Sequence, residues 1–227
     1  MTLIFPLEAV TAEIAGSDAR FPVRRIFCVG RNYAEHAREM GGAPEREPPF
    51  FFTKPADAIV GGLADIAMPA RTANLHHEIE LVVALGTGGC DLSEDAAIEA
   101  IFGYAVGNDL TRRDLQAEAK AAARPWDMAK GFDQSAVLSP IRRVADIGHP
   151  FTARIWLSVN GTARQDGDIS DMIWPVPAII AELSTYVELK AGDLIYTGTP
   201  AGVGQVVAGD LVEGGIDGVG SIANRFI

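Results

Sequence analysis

The sequence is poor in cysteine, histidine and basic residues. Among its 227 residues are 2 cysteines and 4 histidines, and 19 lysines and arginines stand against 30 aspartates and glutamates. Two cysteines without a CxxC spacing form neither a disulfide framework nor a metal motif, and Cys28, in an apolar run, is expected to be a buried thiol. A net charge of −11 argues against nucleic acid and anionic membranes as partners, since both require a basic surface.

Long apolar runs, targeting signals and several familiar catalytic motifs are also absent. No apolar run approaches the ~20 residues that a membrane-spanning helix needs. The first residues lack a basic cluster and contain Glu8, unlike a signal peptide, so we expect a cytoplasmic protein. Without GxxxxGK[ST], GxGxxG, GxSxG or HExxH, the nucleotide-binding, dinucleotide-binding, serine-hydrolase and zincin classes lose their usual support.

What the sequence does contain is a series of short apolar runs separated by turn residues. With 48% hydrophobic and 22% charged residues, the composition is that of an ordinary globular chain, and the runs predict a mainly β domain with a few short helices. Strands are predicted at Arg25–Val29, Phe50–Thr53, Glu78–Leu85, Gly103–Asp109, Arg154–Asn160, Thr162–Gln165 and Asp193–Thr197, with two more between Gly209 and Ile227.

Three helices are predicted between these strands. Ser93 is a hydroxyl N-cap for a helix through about Phe102, and Thr111 is expected to cap a second helix in a near capping-box arrangement with Asp114. Apolar spacing predicts the third over Pro177–Leu189. We expect one catalytic domain over residues 25–227, preceded by an N-terminal appendage of residues 1–24.

The most informative local pattern is acidic. Glu78 and Glu80 are two residues apart at the start of a predicted strand, so both carboxylates point to one face. Asp109 ends the next predicted strand and would add a third carboxylate. Buried like charges repel and lose hydration, and a divalent cation would remove both costs; an all-oxygen set suits Mg²⁺ or Mn²⁺. The same spacing is also typical of a solvent-facing strand edge, and that alternative stays open.

A second group combines a histidine with an acid. His36 and Glu39 would be neighbours on a helix, and a carboxylate beside an imidazole can prepare it to activate water. An ordinary solvated pair on a short helix has the same spacing. Four further polar residues are candidate anion or enolate contacts, although each taken singly reads equally as a surface charge or cap: Lys54, Arg113, Gln116 and Lys130.

Seven segments, in this order, resemble the fumarylacetoacetate hydrolase family, specifically its small single-domain acylpyruvate hydrolase branch. Each segment alone is weak, but their joint order from Arg25 to the C-terminus is specific. They are Cys28–Gly41 (CVGRNYAEHAREMG), Phe52–Pro55 (FTKP), Leu75–Leu81 (LHHEIEL), Gly103–Gln116 (GYAVGNDLTRRDLQ), Pro125–Asp133 (PWDMAKGFD), Val159–Gly161 (VNG) and Gly192–Gly204 (GDLIYTGTPAGVG).

The resemblance implies a mixed β-sandwich roll around a divalent-metal site, and a homodimer. It implies that Glu78, Glu80 and Asp109 are the ligands of Mg²⁺, or of Mn²⁺ or Ca²⁺. It also implies that His36 and Glu39 activate water on a lid over the substrate. Lys130 matches the catalytic lysine. The implied contacts to the substrate carboxylate and oxo groups are Arg113, Gln116, Lys54 and Thr199.

The implied reaction is hydrolysis of the carbon–carbon bond of an acylpyruvate, with fumarylpyruvate as the favoured substrate, to give pyruvate and a carboxylic acid. Related chemistry on a small 2-oxo acid leaves two alternatives within the family: oxaloacetate decarboxylation, and isomerisation or decarboxylation of 2-hydroxyhepta-2,4-diene-1,7-dioate. A third alternative, of a different class, is a β-domain that binds 2-oxo acids without turning them over.

Overall fold

The computed structural model describes residues 4–6, 8–39 and 48–227. Near the N-terminus, strands β1 (Thr11–Ile14) and β2 (Ser17–Pro22) form an antiparallel hairpin. Its buried residues Ala12 and Phe21 pack on one face of the main sheet. The hairpin therefore shares a core with the rest of the chain, and the division of the chain at residue 24 stays a prediction.

The main sheet has eight strands and mixed pairing. In spatial order the strands are β4 (Phe50–Lys54), β3 (Arg25–Gly30), β14 (Asp193–Tyr196), β7 (Ile79–Leu85), β8 (Ile101–Asp109), β10 (Ala136–Leu138) and β5 (Ile59–Gly61), with β11 (Arg142–Arg143) also on β8. Strand β14 pairs in parallel with β3, β10 pairs in parallel with β5, and the other pairs are antiparallel.

Two smaller sheets complete the β structure. The first is antiparallel, with the order β13 (Thr162–Asp168), β12 (Arg154–Val159), β16 (Leu211–Ile216) and β17 (Gly220–Arg225). The predicted Asn160-Gly161 hairpin joins β12 to β13, and both of its residues have positive φ, as such a turn requires. The second sheet has the order β15 (Gly204–Val206), β6 (Leu75–His77) and β9 (Thr111–Arg112).

The two faces of the main sheet carry separate cores because strand side chains alternate. One face of β7, with Ile79 and Leu81, joins a large apolar cluster that includes Ile155 and Leu157 of the four-stranded antiparallel sheet. The opposite face packs a smaller cluster around Tyr196 and the hairpin. Glu80 points to this second face. The sheet therefore places its acidic residues beside the smaller core, where space for a cleft remains.

The helices are short and lie around the sheets. They are α1 (Ala34–Glu39), α2 (Glu94–Glu99), α3 (Arg113–Ala121), α4 (Asp127–Lys130), α5 (Val144–Ile147) and α6 (Val176–Tyr186), with 3₁₀ turns at Ala56–Ala58 and Ile169–Asp171. Within the described ranges no helix has both the length and the apolarity to cross a membrane. The mainly β fold with a few short helices, predicted from the sequence, is confirmed.

Two helix predictions need correction. Ser93 caps α2 through its side chain, as predicted, but the helix ends at Glu99 because Ile101 already pairs with Leu85 in the main sheet. Thr111 is not a cap: it lies in β9, and its hydroxyl donates to the Asp109 carbonyl. The helix that follows begins at Arg113 without a side-chain cap.

The prediction for Asp114 fails with that cap. Its carboxylate accepts hydrogen bonds from the Thr72 hydroxyl and the Ala73 amide, on the segment before β6. Long-range partners thus replaced the local capping box. The strand prediction at Glu78 also shifts, since β7 begins at Ile79 and Glu78 lies between β6 and β7, where the chain passes from one sheet to another.

We expect Asp193→Ala to lower the free energy of unfolding by about 2–3 kcal/mol, slightly below the range for breaking a fully buried pair, because its arginine partners are partly exposed. The buried Asp193 carboxylate accepts hydrogen bonds from Arg24, Arg25 and the Lys190 amide. Denaturant unfolding measures the change. The matched control is Asp166→Ala, whose ion pair with Arg154 is about half exposed and should cost under ~1 kcal/mol. Equal losses in the two variants would contradict the prediction.

Candidate active site

Three buried carboxylates meet at the ends of strands β7 and β8. Glu80 lies opposite Gly107 in this antiparallel pair, and the Asp109 amide donates to the Glu78 carbonyl at 2.8 Å, which aligns these two residues across the strands. The Asn108 side chain accepts from the Glu78 amide at 2.8 Å and fixes the junction before β7. One oxygen from each carboxylate lies within 4.8 Å of the others. The convergence predicted from the sequence is therefore present.

Basic side chains neutralise two of the three acids. Lys130 Nζ is 2.7 Å from both Glu78 Oε2 and Asp109 Oδ2. Arg113 contacts the other oxygen of Glu78. Lys54 Nζ forms an ion pair with Asp109 Oδ1 at 2.7 Å. It also donates hydrogen bonds to the backbone carbonyls of Leu110 and Lys130.

The charges of these groups follow from the pairing. Burial alone would raise the pKa of Glu78, but Lys130 and Arg113 outweigh it and hold the pKa well below its usual value. The pKa of Lys130 is raised because Asp109 and Glu78 outweigh its own burial. Both groups are therefore ionised at neutral pH, and Lys130 is a fixed ammonium at the floor of the site.

Glu80 is the acid that is left over. Its carboxylate accepts a 2.8 Å hydrogen bond from the Gly198 amide, and it makes no ion pair with a basic side chain among the described residues. Burial, followed by the charges of Asp109 and Glu78, raises its pKa well above the usual value. A divalent cation would supply the missing charge, and three carboxylate oxygens are the donors that Mg²⁺ and Mn²⁺ prefer. The cluster therefore fits a divalent metal.

The loop after β14 donates backbone amide hydrogen bonds to two carboxylates, those of Glu80 and Glu39. Gly198 donates to Glu80, and Gly202 donates to both oxygens of Glu39 at 3.2–3.3 Å. Both glycines have positive φ, at 98° and 94°, and a Cβ on Gly202 would lie 2.0 Å from the Arg164 carbonyl oxygen. Only glycine fits these positions. The loop thus ties the carboxylate cluster to helix α1.

Helix α1 brings the predicted histidine–acid pair into the same cleft. His36 Nδ1 lies 3.3 Å from Glu39 Oε2. With the carboxylate as acceptor, Nδ1 carries the proton and Nε2 is left as the basic nitrogen. Burial lowers the pKa of His36 below 6.5, against the opposing effects of Glu78 and Glu39. The imidazole is therefore neutral at pH 7, which is the state that a general base needs.

Helix α3 contributes the next polar residues. Arg113 donates to Gln116 Oε1 at 2.7 Å and, through Nε, to His76 Nδ1 at 3.3 Å. Burial, with the nearby Arg113 charge, lowers the pKa of His76 to about 4, so this histidine stays neutral and acts as an acceptor. Arg113 is therefore held between α3 and β6 while it contacts Glu78.

These groups surround an open cleft. Seven of the ten residues predicted for the site line it: His36, Glu78, Glu80, Arg113, Gln116, Lys130 and Thr199. The other three do not line it: the exposed Glu39 supports His36, and Lys54 and Asp109 form the buried floor. The roles assigned to all ten residues stay predictions. The site is one compact assembly.

One residue of this assembly carries no signal in the amino-acid sequence. Gln165, fully buried on β13, accepts from the Ile79 amide at 3.1 Å and lies 2.9 Å from His77 Nδ1. Its amide nitrogen donates to the Thr199 hydroxyl at 2.7 Å. Gln165 thereby connects the backbone between Glu78 and Glu80 to Thr199. It could not be predicted from the sequence because its strand is far along the chain from the other site residues.

Seven residues that line the cleft were also missed: Val29, Gly30, Arg31, Phe50, Phe52, Lys120 and Trp126. Signals for two of them were available. Lys120 follows Arg113 and Gln116 at helical spacing, which places all three on one face of α3. Trp126 lies in the segment that also contains Lys130. Four of these residues, none of them buried, form the outer wall of the cleft: Arg31, Phe50, Lys120 and Trp126.

Comparison with known proteins agrees with this geometry. The family described as "Fumarylacetoacetate (FAA) hydrolase C-terminal" matches residues 25–227. Oxaloacetate tautomerase FAHD1 of Mus musculus is 45% identical over 89% of this chain and 90% of its own length. Fumarylpyruvate hydrolase of a Ralstonia species is 48% identical over 78% of this chain and 92% of its own length.

Among solved structures, fumarylpyruvate hydrolase from Pseudomonas aeruginosa in complex with Mn²⁺ and pyruvate superimposes with a TM-score of 0.97. The two chains are 50% identical, and the match covers 100% of this chain and 99% of the other. A family match over nearly the whole chain, together with relatives at these identities, decides the classification. The chain belongs to the fumarylacetoacetate hydrolase family.

Proposed function

We propose that this chain is a divalent-metal-dependent hydrolase that cleaves the carbon–carbon bond of an acylpyruvate, with fumarylpyruvate as its substrate. The observation that carries the proposal is the buried group of Glu78, Glu80 and Asp109, within reach of His36 in one cleft. Relatives named for fumarylpyruvate hydrolysis support the choice of substrate.

The three carboxylates would hold the metal, and Mg²⁺ is the proposed resident ion, with Mn²⁺ and Ca²⁺ as alternatives. When bound, such an ion supplies Lewis acidity and a template for a 2-oxo acid. Lys130 anchors Glu78 and Asp109, and Lys54 supports Asp109 from below.

The chain's own residues then divide the reaction between them. His36, oriented by Glu39, takes a proton from water at Nε2, and the resulting hydroxide attacks the carbonyl carbon of the acyl group. The bond between this carbon and the methylene group breaks, its electron pair leaves on the pyruvate enolate, and the water oxygen remains in the released acid, which loses its proton to solvent. The proton held by His36 then passes through water to the methylene carbon of the enolate, which gives pyruvate and restores the neutral imidazole. The Lys130 ammonium stabilises the developing negative charge because it is already in place and remains protonated.

Arg113, Gln116 and Thr199 are the proposed contacts to the carboxylate and oxo groups of the substrate. Arg113 and Gln116 are already oriented by their mutual hydrogen bond. The Thr199 hydroxyl accepts from Gln165 and so retains its own proton for donation. A site whose donors are fixed in advance pays little reorganisation cost in the transition state. The homodimer and the cytoplasmic location expected from the sequence remain proposals.

A second candidate is oxaloacetate tautomerisation, favoured by the 45% identity to a tautomerase over 89% of the chain. It would need a proton transfer at a 2-oxo acid in the same cleft, without attack by water. The base and the charge stabilisation proposed above could serve it equally. The two candidates differ in whether a carbon–carbon bond is cleaved.

Metal removal tests the first requirement. With fumarylpyruvate as substrate, pyruvate release should stop in EDTA and return with excess Mg²⁺ or Mn²⁺. Glu80→Gln removes a proposed metal ligand. Its activity should therefore fall by more than ~100-fold, the upper cost of removing a residue that only supports a ligand. Glu99→Gln, an exposed acid on α2, is the matched control and should keep full activity. Full activity of the wild type in EDTA would refute the metal-dependent mechanism.

His36→Ala should lower kcat by ~10²–10⁴-fold, the usual contribution of a general base. Metal affinity, measured by titration calorimetry with Mn²⁺, should change little, since His36 is not among the three carboxylate ligands. Arg38→Ala, an exposed change on the same helix, controls for damage to α1. Retention of wild-type kcat by His36→Ala would remove His36 from the base role.

The pH profile of the wild type gives a second measurement on His36. Burial lowers the pKa of the imidazole below 6.5, so the base is neutral above that pKa and protonated below it. We expect kcat/KM to be level near pH 7 and to fall only as the pH drops below 6.5. An activity that rises on acidification through this range would contradict the assignment.

A direct comparison of substrates separates the two candidates. Fumarylpyruvate should yield pyruvate and fumarate with a higher kcat/KM than any change in oxaloacetate. Loss of the ultraviolet absorbance of enol-oxaloacetate reports tautomerisation, and pyruvate formed from oxaloacetate reports decarboxylation. Rapid tautomerisation without cleavage of fumarylpyruvate would establish the second candidate in place of the first. Binding of 2-oxo acids without any turnover would indicate the non-enzymatic alternative.

A further inference from the structure

The outer wall of the cleft carries two basic side chains that the mechanism above does not use. Arg31 and Lys120 both line the cleft. The deeper bases Lys54, Lys130 and Arg113 are all paired with carboxylates. Across the described ranges 4–6, 8–39 and 48–227, neither Arg31 nor Lys120 forms an ion pair. Their charge is therefore available to a ligand.

The two cations stand on either side of an aromatic pair. The Arg31 guanidinium is 6.0 Å from the centre of the Phe50 ring, and Lys120 Nζ is 5.0 Å from the Trp126 ring. The Phe50 and Trp126 rings meet edge to face, with centroids 5.5 Å apart. The four side chains make a continuous outer wall with an apolar centre and a positive charge at each end.

The backbone fixes the position of Arg31. Its φ is 57°, a left-handed conformation that is uncommon for a residue with a side chain. The next residue, Asn32, is fully buried and donates to the carbonyls of Trp174 and Thr197 at 3.0 and 2.8 Å, while its side-chain oxygen accepts from the Trp174 amide. Such strain persists where the surroundings hold the backbone, often at a ligand site.

Helical geometry fixes the direction of Lys120. It lies seven residues after Arg113 and four after Gln116 on α3, so all three project from the same face into the cleft. Burial, followed by the charges of Arg113 and Arg31, lowers the pKa of Lys120. A group held near other cations in this way gains stability when an anion binds beside it.

The charges of the site indicate which kind of anion Arg31 and Lys120 would bind. The three acids of the floor are matched in number by Lys54, Lys130 and Arg113. A divalent cation would balance the first carboxylate of a 2-oxo acid and leave charge to spare. Arg31 and Lys120 add two more positive charges to the same cleft, one on each side of the Phe50 and Trp126 rings.

We propose that Arg31 and Lys120 bind a second carboxylate at the far end of the acyl chain, and that they make the enzyme selective for dicarboxylic acylpyruvates. This inference rests on the proposed hydrolase function and specifies its substrate class. In fumarylpyruvate the two carboxylates lie at opposite ends of a flat conjugated chain, which the Phe50 and Trp126 rings would contact. A monocarboxylic acylpyruvate such as acetylpyruvate leaves both cations without a partner.

The kinetic test compares fumarylpyruvate with acetylpyruvate. Lys120→Met and Arg31→Met keep much of the side-chain length and remove the charge. Each should lower kcat/KM for fumarylpyruvate by about 10-fold, the lower end for loss of one charge-assisted hydrogen bond because both groups are exposed. The change should appear mainly in KM. For acetylpyruvate both variants should stay within about 2-fold of the wild type, and Lys120→Arg should retain the preference for fumarylpyruvate.

The control variant is Lys190→Met, an exposed lysine paired with Glu188 outside the cleft, which should change neither substrate. Equal losses on both substrates in Lys120→Met and Arg31→Met would mean that these residues only shape the cleft, and the inference would be wrong. Unchanged kinetics on fumarylpyruvate would overturn it equally.

Equilibrium binding tests the inference independently of turnover. Fumarate and crotonate differ only in that a methyl group replaces one carboxylate. In calorimetry with Mn²⁺ and pyruvate present, the wild type should bind fumarate more tightly, and the double variant Lys120→Met with Arg31→Met should lose that preference. Equal binding of both acids by the wild type would refute the inference. A clear fumarate preference in a wild type that cleaves neither acylpyruvate would instead place the failure in the proposed function.

Discussion

Burial of three carboxylates at one point of the sheet is the constraint on which the rest of this structure depends. Placing like charges in a dry interior is strongly unfavourable unless each is compensated. Lys130 bridges Glu78 and Asp109, Arg113 contacts Glu78, and Lys54 supports Asp109. Among the residues that the structure describes, the partner of Glu80 is a backbone amide, that of Gly198. A compensating positive charge is therefore needed most at Glu80, and a divalent metal ion would supply it.

The surrounding helices and loops hold these charged side chains in position. Helix α3 brings Arg113 to the floor, and the loop after β14 brings the amides of Gly198 and Gly202 to Glu80 and Glu39. Gln165 links the β7 backbone to Thr199. Glu39, Glu80 and Thr199 are therefore each positioned by a contact from a distant part of the chain.

Local patterns predicted the elements where local forces decide them. The Asn160-Gly161 turn and the Ser93 cap formed as expected, because a positive φ and a hydroxyl acceptor are properties of single residues. Thr111 failed as a cap because β9 pairing and the Asp109 carbonyl took its backbone and hydroxyl. Asp114 likewise found partners some 40 residues away, which no local window contains.

The sequence by itself determined the family, the mainly β fold and the acidic cluster, because strand periodicity and ordered motifs are properties of the chain alone. Only the tertiary structure decided which acid lacks a basic partner, that Lys54 lies beneath the floor, and that Gln165 belongs to the site. It also brought Arg31 and Lys120 to one wall, although they are 89 residues apart in the printed sequence. Charge compensation depends on distances in space, and those distances are set by packing.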